Sequence, residues 1–265
     1  MIFKTFGNRE NKTIILLHGG GLSWWSYQNR IEKLKDIYYV IAVVIDGHGE
    51  NSDKTFISIE NSAEQLIDFI DKKLGKQVFA LIGLSLGSQI IAETIARRKT
   101  ITKYAILEST LVCPMKFVEK SSSLMINSTY WLTKQRWFAD MQAKALFIPK
   151  SELNLYFEDS IKMSKQSLIN ILKSNASYDL KDSISETEAK VLIIVGEKEI
   201  GKMQQSAQKL NAKIPDSQLY IAKNMKHGEL SLSYPEKYLE LINSFFNDSN
   251  KEGEVERNQL SGNSG

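Results

Sequence analysis

The sequence predicts an α/β protein whose mostly parallel central sheet carries helices on both faces. Short apolar runs rich in β-branched residues alternate with stretches of helical periodicity along most of the chain. Several of these runs are continuously apolar, which is typical of parallel strands buried on both faces. The alternation stops between residues 111 and 183, where helix-forming stretches follow one another without a strand-like run. The fold class is therefore α/β with a helical insertion.

The predicted elements follow in chain order from these patterns. The predicted strands cover residues 13–17, 38–45, 78–82, 104–107, 191–195 and 218–222. The predicted helices of the main domain lie near residues 28–34, 62–74, 88–97, 203–210 and 235–246, with two more at 153–163 and 164–173. Right-handed crossovers between parallel strands would place these helices on both faces of the sheet.

The element pattern also divides the chain. Residues 1–110 and 184–246 are predicted to form the α/β core, and residues 111–183 a helical cap inserted into it. Residues 247–265 are polar and rich in serine, asparagine and glutamate, so we expect a disordered tail.

Composition excludes several classes of protein. The chain has 265 residues and a formal net charge of only +3, with lysines scattered among acidic residues, so nucleic acid is not expected as a partner. Cys113 is the only cysteine, which fits a reducing compartment and removes any thiolate metal cluster. The N-terminal residues lack a signal-like apolar region, and no apolar run is long enough to span a bilayer. We therefore expect a soluble cytoplasmic protein.

A serine lies between two glycines where the predicted third strand gives way to a helix. The segment Gly83-Leu84-Ser85-Leu86-Gly87 follows an apolar run and precedes helical spacing. A serine at such a sharp turn is forced to a positive φ, and glycines two residues on either side avoid collision with neighbouring backbone. The Ser85 hydroxyl would project from the sheet edge, and the free N–H groups of the following helix would point at a developing oxyanion.

A glycine-rich loop follows the first predicted strand. The segment His18-Gly19-Gly20-Gly21 exposes backbone N–H groups. Together with the serine turn, this loop resembles the α/β-hydrolase family, and the resemblance extends to about residue 246. It implies an oxyanion hole formed by the N–H groups of Leu86 and Gly20, or of Gly21 if the loop register differs by one. The segment 45–52 resembles a loop that is mainly architectural in that family, so neither Asp46 nor His48 is expected to be catalytic.

A serine nucleophile at neutral pH needs an imidazole base. The chain has three histidines, and His18 and His48 belong to the two loops just described. His227 lies in the loop after the last predicted strand, which matches the family's chain order of serine, acid and histidine. We therefore predict His227 as the base.

Three glutamates are candidates for the acid that orients this histidine. Glu199 follows the strand at 191–195, at a place where the family usually has aspartate. Because glutamate is one methylene longer, its backbone must retreat or its side chain must fold to reach the same imidazole. Glu108, at the end of the strand at 104–107, is the main alternative, and Glu197 is a third. We predict Glu199.

The resemblance implies a hydrolase that cleaves small or medium carboxylic esters of a small-molecule acyl substrate through an acyl-enzyme on Ser85. No metal or organic cofactor is required. Trp24 and Trp25, beside the glycine-rich loop, are predicted to contact substrate. Two alternatives stay open: the same triad used for another reaction, such as an aminopeptidase, thioesterase or lyase reaction, or a small-molecule receptor with slow turnover.

Overall fold

A computed structural model describes residues 1–247 of the chain. Seven strands form one sheet in the order β1-β3-β2-β4-β5-β6-β7. All neighbouring strands are parallel except β1, which pairs with β3 in the antiparallel sense. The strands are β1 (Ile2–Phe6), β2 (Thr13–Leu17), β3 (Tyr39–Val44), β4 (Val78–Leu84), β5 (Thr102–Glu108), β6 (Lys190–Gly196) and β7 (Ser217–Ala222). The predicted fold class is confirmed.

Helices cover both faces of the sheet. The helices are α1 (Gln28–Leu34), α2 (Ile59–Lys73), α3 (Leu86–Arg97), α4 (Lys116–Thr129), α5 (Arg136–Ala145), α6 (Leu153–Lys162), α7 (Lys165–Ser177), α8 (Gly201–Lys213), α9 (Glu229–Ser233) and α10 (235–247). Side chains of α2, α3 and α8 pack in one apolar cluster, and those of α1 and α10 pack in another.

The two clusters share the strands between them. Along β2, Ile15 and Leu17 belong to the first cluster, whereas Ile14 and Leu16 belong to the second. Successive side chains of a strand point to opposite faces, so a strand covered on both sides needs apolar residues at every position. This is the reason for the continuous apolar runs in the sequence.

Several elements differ from the predicted ones, among them β1 and α2. β1 was not predicted, because its sequence is short and mixes polar with apolar residues, as an edge strand can. Helix α2 begins at Ile59, three residues before the predicted start, because the Ser58 side chain accepts a hydrogen bond from the Asn61 N–H and caps the helix.

Four helices, α4 to α7, lie between β5 and β6, in the interval where the helical insertion is predicted. Two serines of α7 hold that helix to the start of α2: the Phe56 N–H donates to Ser167 Oγ at 3.2 Å, and the Ile59 N–H donates to Ser174 Oγ at 3.0 Å. Residues of all four helices line a cavity together with Ser85, the residue that follows the carboxyl end of β4.

Two further predictions concern the C-terminal tail and membrane-spanning helices. Residue 247, in α10, is the last described residue, and residues 248–265 of the predicted tail lie outside the described residues. Among residues 1–247, none of the helices combines the length and the apolar character that crossing a membrane requires.

Candidate active site

Ser85 occupies a strained turn between β4 and α3. Its backbone has φ 52° and ψ −111°, and its N–H donates to the Glu108 carbonyl of the neighbouring strand at 2.9 Å. A Cβ on Gly87 would lie 2.2 Å from the Leu17 carbonyl oxygen, and a Cβ on Gly83 would lie 2.7 Å from the Gly87 carbonyl carbon. Only glycine fits at these two positions, so the spacing found in the sequence reflects close backbone contacts on both sides of the serine.

The glycine-rich loop lies beside this turn. The Leu22 N–H donates to the Gly19 carbonyl at 3.1 Å, so Gly20 and Gly21 form the tip of a tight turn. A Cβ built on Gly20 would be 3.8 Å from the side chain of Leu86, the first residue of α3. The amide of a first helical residue has no partner within its helix. The two predicted oxyanion donors, Gly20 and Leu86, are therefore neighbours.

His227 contacts Glu199. The imidazole Nδ1 lies 2.8 Å from Glu199 Oε2, and the carboxyl side chain is only 1% exposed. The structure thus brings together two of the predicted site residues that are 28 positions apart in sequence.

The longer glutamate reaches His227 because its side chain folds back. Glu199 Oε1 accepts hydrogen bonds from the Gly196 N–H and from the Ser109 hydroxyl, each at 2.8 Å. The loop before His227 also comes close, since a Cβ on Gly196 would lie 2.5 Å from the Met225 carbonyl oxygen. Of the two adjustments expected for glutamate, the structure has the folded side chain.

Sequence reasoning did not select Ser109. Its backbone has φ 52°, and its N–H donates to the Ile194 carbonyl at 2.8 Å. Its hydroxyl donates to Glu199 and accepts from the Gly228 N–H at 3.1 Å, so one side chain connects the acid to the histidine loop. A serine directly after a strand end is the only sequence signal for it, and that signal is not specific.

The two alternative acids lie elsewhere. Glu197 Oε2 accepts from the Asn224 N–H at 2.8 Å, on the exposed side of the loop. Glu108 is buried, and its Oε1 accepts from the Ser231 N–H at 3.2 Å. Burial raises the pKa of Glu108 to about 7, against the lowering effects of the Ser231 hydrogen bonds and of Arg30. Its Oε2 has no hydrogen-bond partner among the described residues.

Glu108 should make stability depend on pH. Because its folded-state pKa of about 7 exceeds the ordinary value of 4.5, its contribution is fully present below pH 4.5 and is lost as the pH rises through 7. The Glu108→Gln variant should therefore gain stability relative to wild type between pH 5 and 8, by at most about 3 kcal/mol. Urea unfolding of both proteins across this range measures the difference. A difference that stays constant with pH would contradict the assigned ionisation.

Two cavities meet at Ser85. The first, the helix-side cavity, has a volume of about 360 Å³ and the second, the histidine-side cavity, about 400 Å³. The helix-side cavity is lined by Gly20, Gly21, Ser85, Ile126, Thr133, Gln142, Leu146, Tyr156, Ser160, Met163, Leu168, Ile171, Leu172 and Asn175. The histidine-side cavity is lined by Ser85, Leu111, Met115, Ala145, Phe147, Asn175, Lys198, Glu199, Ile200, Met203, Lys226 and His227. Ser85 and Asn175 are common to both.

This arrangement agrees with the comparison to known proteins. A sequence model of the alpha/beta hydrolase family matches residues 14–241. The chain belongs to the alpha/beta hydrolase family. The match confirms the resemblance drawn from the serine turn and the glycine-rich loop, and it identifies the protein as an enzyme.

Other hydrolases are similar to this chain over most of their length. The uncharacterised hydrolase YugF of Bacillus subtilis is 22% identical over 93% of this chain and 92% of its own. A carboxylesterase structure from Nitrososphaera gargenis has a TM-score of 0.78 at 16% identity, with 95% of each chain covered. The carboxylesterase CesB (YbfK) of Bacillus subtilis has a TM-score of 0.71 at 22% identity, covering 92% of this chain and 86% of that one. The two structures establish the shared fold.

The predicted substrate contacts of two tryptophans are not supported by their positions in this hydrolase. Trp25 is buried, and its Nε1–H donates to Asp159 Oδ2 at 2.8 Å. Trp24 packs against Phe6, with ring centroids 5.7 Å apart. The described residues that line the two cavities at Ser85 include neither tryptophan. The indole of Trp25 instead joins the insertion to the main domain, because its one polar atom is satisfied there.

The other two histidines are buried near the glycine-rich loop. Burial, together with the nearby His48, lowers the pKa of His18 to about 3, and burial lowers the pKa of His48 to about 4. His18 Nε2 accepts from the Ile45 N–H at 3.2 Å, which ties the loop after β2 to the end of β3. Both imidazoles are neutral near pH 7, and neither lines a cavity at Ser85 among the described residues.

Proposed function

We propose that this hydrolase cleaves small or medium carboxylic esters through an acyl-enzyme on Ser85. One observation carries the proposal: Ser85, on its strained turn, lines the same cavity as His227, whose Nδ1 is bonded to the buried Glu199. A hydroxyl, an imidazole and a carboxylate in this order are the requirements for activating a serine.

Each group has one role in the proposed reaction. The imidazole of His227 removes the proton of Ser85 Oγ, and Oγ attacks the acyl carbon. The N–H groups of Leu86 and Gly20 donate to the developing oxyanion, and one such donor typically contributes about 10²- to 10³-fold to the rate. His227 then protonates the leaving alcohol. A water molecule activated by the same imidazole releases the acid and restores Ser85.

Glu199 keeps the imidazole in the tautomer that this reaction needs. A carboxylate can only accept, so it holds the proton on Nδ1 and leaves the other nitrogen free to receive the proton of Ser85. Gly196 and Ser109 fix the carboxylate from its opposite oxygen, Oε1. The two latter residues position the acid and do not touch the reacting atoms.

We also propose that residues 111–183 act as the cap of a core formed by residues 1–110 and 184–246. The cap helices supply most of the apolar lining of the helix-side cavity, among them Ile126, Leu168 and Ile171. This cavity also contains Gly20, so an acyl chain attached to the carbonyl would extend into it. Its volume of about 360 Å³ limits the chain to small or medium length.

Steady-state hydrolysis of p-nitrophenyl esters from acetate to decanoate tests the proposal. We expect sustained turnover, with kcat/KM rising about fourfold per methylene, or about 0.8 kcal/mol, until the helix-side cavity is full. Longer chains should then show lower values. Labelling with a sulfonyl fluoride, followed by mass spectrometry of peptides, should place the adduct on Ser85. A single stoichiometric release would favour the receptor alternative, and the absence of release from every ester would contradict ester hydrolysis.

A further inference from the structure

The histidine-side cavity combines an apolar wall with two lysines. Leu111, Met115 and Met203 contribute to the wall, and Lys198 and Lys226 line the same cavity as His227. Both lysines are exposed, and among the described residues neither ammonium group has an ion-pair partner within 4 Å. Their charges are therefore available to a ligand in the cavity.

The lining of this cavity contains two lysines but only one acidic residue, Glu199. Glu199, which lines it, is engaged with His227, Ser109 and Gly196. Glu197 and Glu229 accept hydrogen bonds from the backbone N–H groups of Asn224 and Lys226, each at 2.8 Å, and neither belongs to the lining. The cavity thus presents positive charge at its lysine-bearing side.

The chemistry of ester cleavage assigns this cavity to one part of the substrate. His227 must donate its proton to the leaving alcohol, so the alcohol has to lie on the side of Ser85 where His227 is. His227 lines the histidine-side cavity and is absent from the lining of the helix-side cavity, which holds Gly20. The alcohol and the acyl group therefore extend into different cavities.

Resting on the proposed function, we propose that the alcohol portion of the natural ester carries a carboxylate, which Lys198 and Lys226 hold in the histidine-side cavity. The bond from Ser85 Oγ to the acyl carbon forms as the bond to the alcohol oxygen breaks. The serine proton passes through His227 to that oxygen, and the product leaves as a hydroxy acid with its carboxylate unchanged. Water then attacks the acyl carbon, the bond from that carbon to Ser85 Oγ breaks, and a proton of the water passes through His227 to Oγ.

A matched pair of substrates tests the charge preference. The butyrate ester of 3-hydroxyphenylacetate is anionic, whereas the butyrate ester of 3-hydroxyphenylacetamide is neutral, contains no second ester and has a closely similar leaving oxygen. Wild type should show a kcat/KM for the anionic ester that is roughly three- to tenfold higher, mainly through KM, because two partly exposed charge pairs contribute little more than this. The ratio should decline between 20 mM and 500 mM salt.

Variants distinguish the two lysines from the general charge of the protein. The double variant Lys198→Met/Lys226→Met should bring the ratio of the two kcat/KM values to about one. Lys223→Met is the matched control and should keep the wild-type ratio. Lys223 is exposed and lies in the loop that carries Lys226, but it does not line the cavity.

The outcomes separate this inference from the proposed function. Turnover of both esters with a ratio at or below one would overturn the inference and leave ester hydrolysis standing. A preference that persists in the double variant would overturn the assignment to these lysines. Failure to hydrolyse either ester, together with failure on the p-nitrophenyl series, would overturn both.

Discussion

Replacing Ser85 with alanine should lower the kcat for p-nitrophenyl butyrate by about 10⁴-fold or more, because the variant has no nucleophile and keeps only the oxyanion donors and the binding cavities. Ser85 shares a cavity with His227, and its N–H is held by the Glu108 carbonyl. The substitution removes one hydroxyl and leaves this backbone hydrogen bond in place. Purified variant and wild type are compared by steady-state kinetics and by melting temperature, which should stay within a few degrees.

The matched control is Ser88→Ala, three residues later on α3. Ser88 is buried, and its hydroxyl donates to the same Glu108 carbonyl at 3.0 Å. This variant loses a hydrogen bond of about 1 kcal/mol but keeps the hydroxyl at 85, so we expect activity within a few-fold of wild type. Equal activity of Ser85→Ala and wild type would show that the reaction does not use this serine.

Replacing Glu199 with glutamine should lower kcat by about 10³- to 10⁴-fold through the tautomer of His227. The Gly196 N–H and the Ser109 hydroxyl both donate to Oε1 in the wild type. Because both groups donate, the amide oxygen of the glutamine would take the place of Oε1, and its NH₂ group would face His227. Nδ1 would then have to accept, so the proton would move to the nitrogen that should receive the proton of Ser85.

Glu108→Gln is the comparison that tests the choice of acid. Its carboxyl group bonds the Ser231 N–H, and glutamine keeps an acceptor for that group. We expect kcat/KM within a few-fold of wild type, measured alongside Glu199→Gln with the same ester. If Glu108→Gln loses activity and Glu199→Gln retains it, Glu108 is the acid and our assignment is wrong.

The sequence was most informative about the sheet and the serine turn. Strands β2 to β6 were recognisable because most of their positions are buried from both faces, which requires a nearly unbroken apolar run. β1 was not predicted because it is a half-buried edge strand and has no continuous apolar run. The sharp turn at Ser85 could also be predicted from the two glycines around it. Close contacts with the backbone of Leu17 and of the chain after Ser85 exclude any larger side chain at these positions.

The sequence favoured Glu199 among three candidate acids, but only the structure shows which of them contacts His227. Glu108 and Glu199 follow adjacent parallel strands, whose carboxyl ends meet at one edge of the sheet. Glu108 is the last residue of β5, and Ser109 bends the chain directly after it with a φ of 52°, so the two side chains point in different directions. Ser109 faces Glu199, and Glu108 faces the buried side near Arg30. That direction depends on how the strands pair and pack.

The contacts of the insertion with the rest of the protein could not be predicted from the sequence either. The sequence by itself determined the α/β fold, the family, and the loops that carry Ser85 and His227, because these follow from local backbone constraints and from burial along single strands. Only the tertiary structure decided that Trp25 bonds Asp159 across 134 positions, that Ser109 supports Glu199, and that Ser85 lies between two cavities. These contacts join segments distant in the chain, and their geometry is set by packing, for which a single sequence has no periodic signal.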